Sequence, residues 1–432
     1  MKKLLFIILL PLHLVLFAQQ PARSGKGEPA SFRIIYGKLV YVPGKGAAAE
    51  VPAPTARKFI GTGKGMGVLT LDGLSNTNMK IKPGTYSGID IINPKHVKID
   101  ARDVIIEAGT LDIFQATDLE ISGLSLINHN YRAVNIRGFC NQLYFHDMNF
   151  KNIANTTISY EYNGIYDGTD KTASMDWKFE RLTFENTGTG FSAGGGFDSA
   201  GIRNLLKNFK FLNCTIRNNQ GIGNIVYSGA MDNYEIAYNT IDNINHTFPS
   251  NAPNGIHNGI FMIMGNGSFH DNLVKNHQGN AIRAWGMSYN NKVGDISIYN
   301  NVVWNSWKYS AFEIQVTPDM AAFLKSYPQW ATYTNARVYN NTAGHLNTSK
   351  DWEGQMIDVY HTGGGTLQYY NNLGFEMNRS QGEITNMINF NGETKLIKNA
   401  GNRYLKTMKQ AICDTLSFRS LYKGIGANRA VR

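Results

Sequence analysis

Three ionisable residues stand out in the second half of this 432-residue chain: Arg283 in NAIRAWG, Glu313 in SAFEIQV and Asp358 in QMIDVYH, 30 and 45 residues apart. Each occupies the same place in a short segment of alternating apolar and polar residues. If these segments are strands that stack, the three charges share one face, spaced about 4.8 Å apart. Two carboxylates at that separation are close to the roughly 5 Å a retaining glycosidase uses, one as nucleophile and one as general acid. An adjacent arginine can hold a substrate carboxylate bidentately. Tyr360 and His361 follow Asp358 directly. With Arg283 they offer a second chemistry, elimination beside a uronic-acid carboxylate, in which a base removes the proton and a cation neutralises the acid. The bland alternative is an ion ladder in which Arg283 only neutralises Glu313.

Binding candidates cluster around the same segments. Trp285 and Gln315 have the outward parity of Arg283 and Glu313, and Arg137 has it in an earlier segment. Two long insertions, 243–258 and 317–335, interrupt the pattern where they would rim this face, and they carry His257 and Trp330. Loops that interrupt a repeat on one side are where such proteins bind, and a flat aromatic ring can cover the C–H face of a sugar. Core packing and surface exposure are the structural alternatives for the aromatics and the histidines. No metal centre is expected. Asp167 and Asp170 in YDGTD are oxygen ligands of a kind that suits calcium, but two acids on a turn carry little weight.

The elements that must position these residues announce themselves as a repeat. The phrase returns nine times: LEISGLSLIN, LYFHDMNFKN, WKFERLTFEN, FKFLNCTIRN, YEIAYNTIDN, GSFHDNLVKN, ISIYNNVVWN, ARVYNNTAGH and LQYYNNLGFE. Its apolar column runs through Ile121, Phe145, Phe179, Phe211, Ile236, Phe269, Ile298, Val338 and Tyr369, with a weaker earlier member at Ile99. A repeat of this length that varies by insertion marks a solenoid, whose units bury their apolar faces only by stacking. Within each phrase the alternation has the period of strands. Three residues on stand Leu124, Met148, Leu182 and Cys214, then Asn239, Asn272, Asn301, Asn341 and Asn372. The first four predict an aliphatic stack and the next five an inward asparagine ladder, since an amide inside the core must be hydrogen-bonded and stacked amides can serve each other. Solvent-facing turn asparagines are the alternative.

This repeat, with the opening phrase IKPGTYSGIDI at 81–91, resembles the right-handed parallel β-helix proteins of the pectin-lyase-like superfamily over roughly residues 62–402. The resemblance implies three strands per coil and an asparagine turn between the second and third. It transfers no catalytic residue, because the motifs that mark individual families on this fold do not occur in the chain. The expected architecture is all-β, a right-handed parallel β-helix of about 10–11 coils over 58–404 with a C-terminal capping helix in 405–432.

Residues 1–18 read as a signal peptide: Lys2 and Lys3, an apolar run to Phe17, then Ala18. Pro11 and His13 interrupt a run already short for a membrane span, so an exported chain with no span is expected, periplasmic or extracellular. Residues 19–57 read as a Pro/Gly/Ala/Lys-rich linker with one possible strand pair in RIIYGKLVYVP. Cys140, Cys214 and Cys413 are odd in number and lack metal spacing. The formal charge of +10, which falls to +8 without Lys2 and Lys3, predicts an acidic polysaccharide as partner, with nucleic acid not expected outside the cell. Two functional readings follow: a polysaccharide lyase or glycoside hydrolase acting along the first-strand face, or a noncatalytic glycan-binding or adhesive solenoid.

Overall fold

The structure is a computed structural model. It describes residues 66–428 except for 163, 195–196, 199–200, 220–223, 247–258, 290–292, 316–329, 332–333, 351–352, 361–364, 379–386 and 391–393, together with strands Ser31–Ile35, Lys38–Val42 and Lys58–Ile60. Residues 1–52 and 53–432 are two compact units. In the first unit Ser31–Ile35 pairs antiparallel with Lys38–Val42, a strand pair within the segment read as a linker.

The second unit is an all-β parallel β-helix solenoid. The apolar column is a continuous cross-strand register: Ile99, Ile121, Phe145, Phe179, Phe211, Ile236, Phe269, Ile298, Val338 and Tyr369 are partners in successive coils. All of them are buried. Phe145 and Phe179 stack at 5.1 Å with planes 5° apart, so each ring is covered by the coil next to it. Burying such a ring stabilises by roughly 2–3 kcal/mol, available only because a neighbouring coil supplies the other surface. Antiparallel pairing among the described strands is confined to hairpins and loop tethers outside the coils.

The repeated phrase encodes its own turns. Its fifth position has positive φ in every copy: Gly123, Asp147, Arg181, Asn213, Tyr238, Asp271, Asn300, Asn340 and Asn371. So does its tenth, from Asn128, Asn152 and Asn186 through Asn305 to His345 and Glu376. Gly, Asn and Asp tolerate the left-handed region at least cost, which is why they recur at these positions. Between them, the sixth residue points inward. From Asn239 to Asn372 each amide Nδ2 donates to the Oδ1 of the next at 2.9–3.0 Å, and the run extends to Asn402, one coil beyond the five predicted members. Each Nδ2 also donates to a carbonyl of the preceding coil, as from Asn301 to Phe269 at 2.9 Å. In the NN pairs, then, the first asparagine makes the turn and the second makes the ladder.

Cys140 and Cys214 are buried free thiols, Cys214 on the aliphatic stack as expected, and Cys413 is exposed. The C-terminal helix is a single turn, Met408–Ala411, followed by the antiparallel pair Ile412–Asp414 and Arg419–Ser420. Ala411, Ile412, Phe418 and Ala427 pack on Val302, Leu373 and Phe375, outward side chains of the third-strand sheet. The segment therefore covers an apolar flank of the last coils. No described helix is long and apolar enough to cross a membrane.

Candidate functional site

First strands Ile282–Gly286, Phe312–Gln315, Ile357–Val359 and Ile388–Phe390 stack in parallel, and their register makes Arg283, Glu313, Asp358 and Asn389 direct neighbours. Ala284, Ile314 and Val359 point into the core, which fixes the other parity outward. Two glycines make the approach possible. A Cβ on Gly259 would lie 2.5 Å from the Cβ of Arg283, so any side chain there would push Arg283 off its rung. Gly265 has φ +147°, and a Cβ there would meet the Met231 carbonyl oxygen at 1.6 Å.

The column is a closely engaged set of charges. Arg283 Nε donates to Glu313 Oε1 at 2.7 Å, and Asn389 Nδ2 reaches Asp358 Oδ1 at 3.5 Å. Despite their outward parity Glu313 is 1% and Asp358 2% exposed. This is a shielded ion pair, which differs from the solvated ladder of the bland alternative. In such a setting both desolvation and Coulomb terms are large, and loss of one partner is costly. The strands that carry the two carboxylates are neighbours in register, and neighbouring strands lie about 4.8 Å apart.

Tyr360 lies at the end of the third of these strands, and its hydroxyl donates to Glu353 Oε1 at 3.1 Å. Burial pushes this phenol well up from its ordinary value, and the charges of Asp358, Glu353 and Glu313 push it further. Tyr309, fully buried in the turn before Phe312, is pushed up in the same way by burial and then by Glu353. Both phenols therefore hold their protons at neutral pH, and that of Tyr360 donates to Glu353. Glu353 and Tyr309 escaped the sequence reasoning because they lie in turns, where strand alternation assigns no side. Only the structure marks Tyr309, whose φ of +76° is rarely adopted by its residue type.

Trp285 and Gln315 are in register beside the column, and the Arg283 guanidinium stands 5.9 Å from the Trp285 ring centroid. Trp285 and Met262 also pack on a satellite apolar cluster of Tyr166, Ile202, Met264 and Met287, outside the main core. That cluster walls one side of the site. Trp330 belongs to a two-residue strand whose backbone pairs antiparallel with Ser288–Tyr289, which tethers the long insertion next to the Trp285 strand. His257 and His361 lie outside the described residues.

Arg137 is not brought to the others. It shares their face, but the register from Asn135 through Ser159, Ser192, Tyr227 and Met262 to Arg283 places it five rungs, about 24 Å, away. There it donates to Asp112 at 2.9 Å. Repeat parity alone gives the face and leaves the distance to the number of intervening coils. Asp167 uses one carboxylate oxygen to close its own turn, accepting from the Thr169 amide at 2.8 Å and from the Thr169 and Thr172 hydroxyls. Among the described residues no group of three His, Cys, Asp or Glu side chains is arranged to hold a metal ion.

The arrangement supports acid–base chemistry at a pair of carboxylates, with a guanidinium committed to one of them and two protonated phenols nearby. Compared with known proteins, the chain matches no family model, and no curated protein matches it in sequence.

Proposed function

We propose that the chain is an exported, carbohydrate-active protein of the pectin-lyase-like superfamily that hydrolyses glycosidic bonds of a polysaccharide at Glu313 and Asp358. The observation that carries this reading is their register on adjacent strands, whose spacing of about 4.8 Å is close to the separation a retaining mechanism uses between its two carboxyl groups. Arg283 orients Glu313, and Trp285 offers an aromatic wall for a sugar ring. Hydrolysis is favoured over elimination because the guanidinium that a lyase would offer to a uronate is already bonded to Glu313, and because Tyr360 is a donor at neutral pH. The basic net charge supports an acidic polymer as the partner.

A noncatalytic glycan-binding solenoid is the second reading, supported by the near-complete burial of Glu313 and Asp358. A panel of polysaccharides separates the readings. New reducing ends without ultraviolet absorbance from an unsaturated product support the hydrolase, both signals together indicate a lyase, and retention on a glycan gel with neither indicates a binding protein.

A further inference from the structure

The outward side of the second strands changes character along the solenoid. In the earlier coils it is laced with ion pairs: Lys98 with Glu120 at 2.8 Å, Lys178 with Glu180 at 2.9 Å and Lys210 with Glu235 at 2.8 Å. In the coils after His270 the outward side chains of these strands form no ion pair among the described residues. There Ser268, Ser297, Arg337, Gln368 and Lys398 are register partners on successive coils. Beside them run Tyr299, Tyr339 and Tyr370, whose stacked rings set their hydroxyls in a ladder. Neither these hydroxyls nor the side chains of Ser297, Arg337 and Gln368 have a hydrogen-bond partner among the described residues. Burial pushes the Tyr299 phenol up to about 12, so it keeps its proton at neutral pH. Arg337 and Lys398 are exposed, and the Lys398 ammonium stands 3.6 Å from the centroid of the Tyr370 ring. The C-terminal segment bounds one side, where the Gly426 amide donates to the Asn371 carbonyl at 2.8 Å and the Asn428 amide to Asn300 Oδ1 at 2.6 Å. On strands Gly294–Tyr299, Thr334–Tyr339, Thr366–Tyr370 and Lys395–Ala400 the only acid is Asp295, exposed at the opposite turn edge.

We propose that this strip binds a polyuronate chain lying along the solenoid axis, as a second site on a different face from the Glu313 column. Each rung offers hydrogen-bond donors, the rungs are about 4.8 Å apart, and a polyuronate carries a carboxylate on every unit to accept from them. Arg337 takes one carboxylate through its guanidinium fork, and Lys398, two rungs on, takes another. The phenols, the serine hydroxyls and the Gln368 amide serve the carboxylates and ring hydroxyls between. Two cations among these many neutral donors suit a polymer of modest charge density better than a densely sulfated one. Single-stranded nucleic acid is disfavoured because its bases stack on aromatic faces, and these tyrosine faces cover one another. The proposal does not depend on hydrolysis at the first-strand face.

The test is affinity electrophoresis of the full chain in the cold through gels holding polygalacturonate, alginate, dextran sulfate, neutral galactan or single-stranded DNA. The wild type should be retarded by polygalacturonate or alginate, less as salt rises, and galactan should not retard it. Arg337→Gln and Lys398→Gln should each weaken retention by about threefold to fivefold and together by about tenfold or more, the range for exposed charge contacts. Arg337→Lys should keep most of the affinity. Replacing Tyr299, Tyr339 and Tyr370 together by Phe keeps the stack, removes the hydroxyls and should weaken retention with the unfolding temperature little changed. Full retention in the Arg337→Gln, Lys398→Gln double variant overturns the proposal, since any polyuronate binding then lies elsewhere. So does retention as strong on dextran sulfate, DNA or galactan as on the polyuronates, or no retention on either polyuronate. Weakened retention in the double variant of a protein that cleaves no polymer leaves this site standing and removes the hydrolase reading. Cleavage with unchanged retention in the double variant does the reverse.

Discussion

Glu313 is the residue on which most depends, because it is both shielded and paired. Replacing Arg283 by Met leaves a buried carboxylate without its guanidinium, an expected cost of about 3–5 kcal/mol. Replacing both, as Arg283→Met with Glu313→Leu, should recover most of that stability while activity stays lost. Urea unfolding midpoints of the two single variants and the double variant check this, and additivity of the two losses would contradict it. Glu313→Gln and Asp358→Asn should keep the fold by circular dichroism and lower kcat by roughly 10²- to 10⁴-fold. A second residue-scale effect lies at the end of strand Leu273–His277. Burial pushes the His277 imidazole down to about 3, His246 adds to this, and a hydrogen bond with Gly279 opposes it. An unfolded histidine titrates near 6.5, so between these values the unfolded chain binds the extra proton. The contribution is therefore intact above about pH 6.5 and is lost as pH falls towards 3, by about 1.4 kcal/mol per pH unit at most. The fall in unfolding temperature between pH 7.5 and 4 should be shallower in His277→Asn, and an identical slope would refute the assignment.

At the scale of elements, the asparagine ladder is the part most sensitive to position. Asn301 accepts from the Asn272 backbone amide and side chain and donates to Asn341 and to the Phe269 carbonyl. Asn239 stands at the end of the run, where its only ladder neighbour is Asn272. Leucine fits this column sterically, as Leu124 and Leu182 show on the aliphatic part of the stack. Asn301→Leu should cost about 3 kcal/mol or more because it strands amides on both neighbouring coils, whereas Asn239→Leu should cost roughly half of that. Chemical unfolding of both variants measures the difference, and equal costs would mean that the ladder is not cooperative. A second outward stack has a different meaning. His270, Tyr299, Tyr339 and Tyr370 stack at 4.5, 5.0 and 5.0 Å with planes within 8° of each other. Their faces cover one another, so this column offers edges and hydroxyls, and the sugar platform stays with Trp285.

For the whole molecule, the C-terminal segment and the net charge give the broader expectations. Ending the chain after Leu405 uncovers Val302, Leu373 and Phe375, which the segment buries. The shortened protein should aggregate on purification while the full chain stays monodisperse by light scattering, and a well-behaved truncation would show that the flank needs no cover. Much of this organisation was legible beforehand. The apolar column, the strand period and the inward asparagines follow from side-chain volume, alternation and the need to satisfy buried amides, all of which are local to each phrase. The column Arg283, Glu313 and Asp358 was legible for the same reason, since parity within a strand and identity of phrase position fix face and register. Glu353 and Tyr309 were not, because turn residues follow no alternation and their place depends on how each loop closes. Arg137 was given its face correctly, but its distance depends on how many coils intervene. The sequence by itself determined which residues stack and which side they take, because a solenoid repeats one local rule. Only the tertiary structure decided that the carboxylates are shielded, that Arg283 is already spoken for by Glu313, and that Tyr360 holds a third carboxylate beside them, because burial and pairing are set by everything that packs around a residue and not by its own segment.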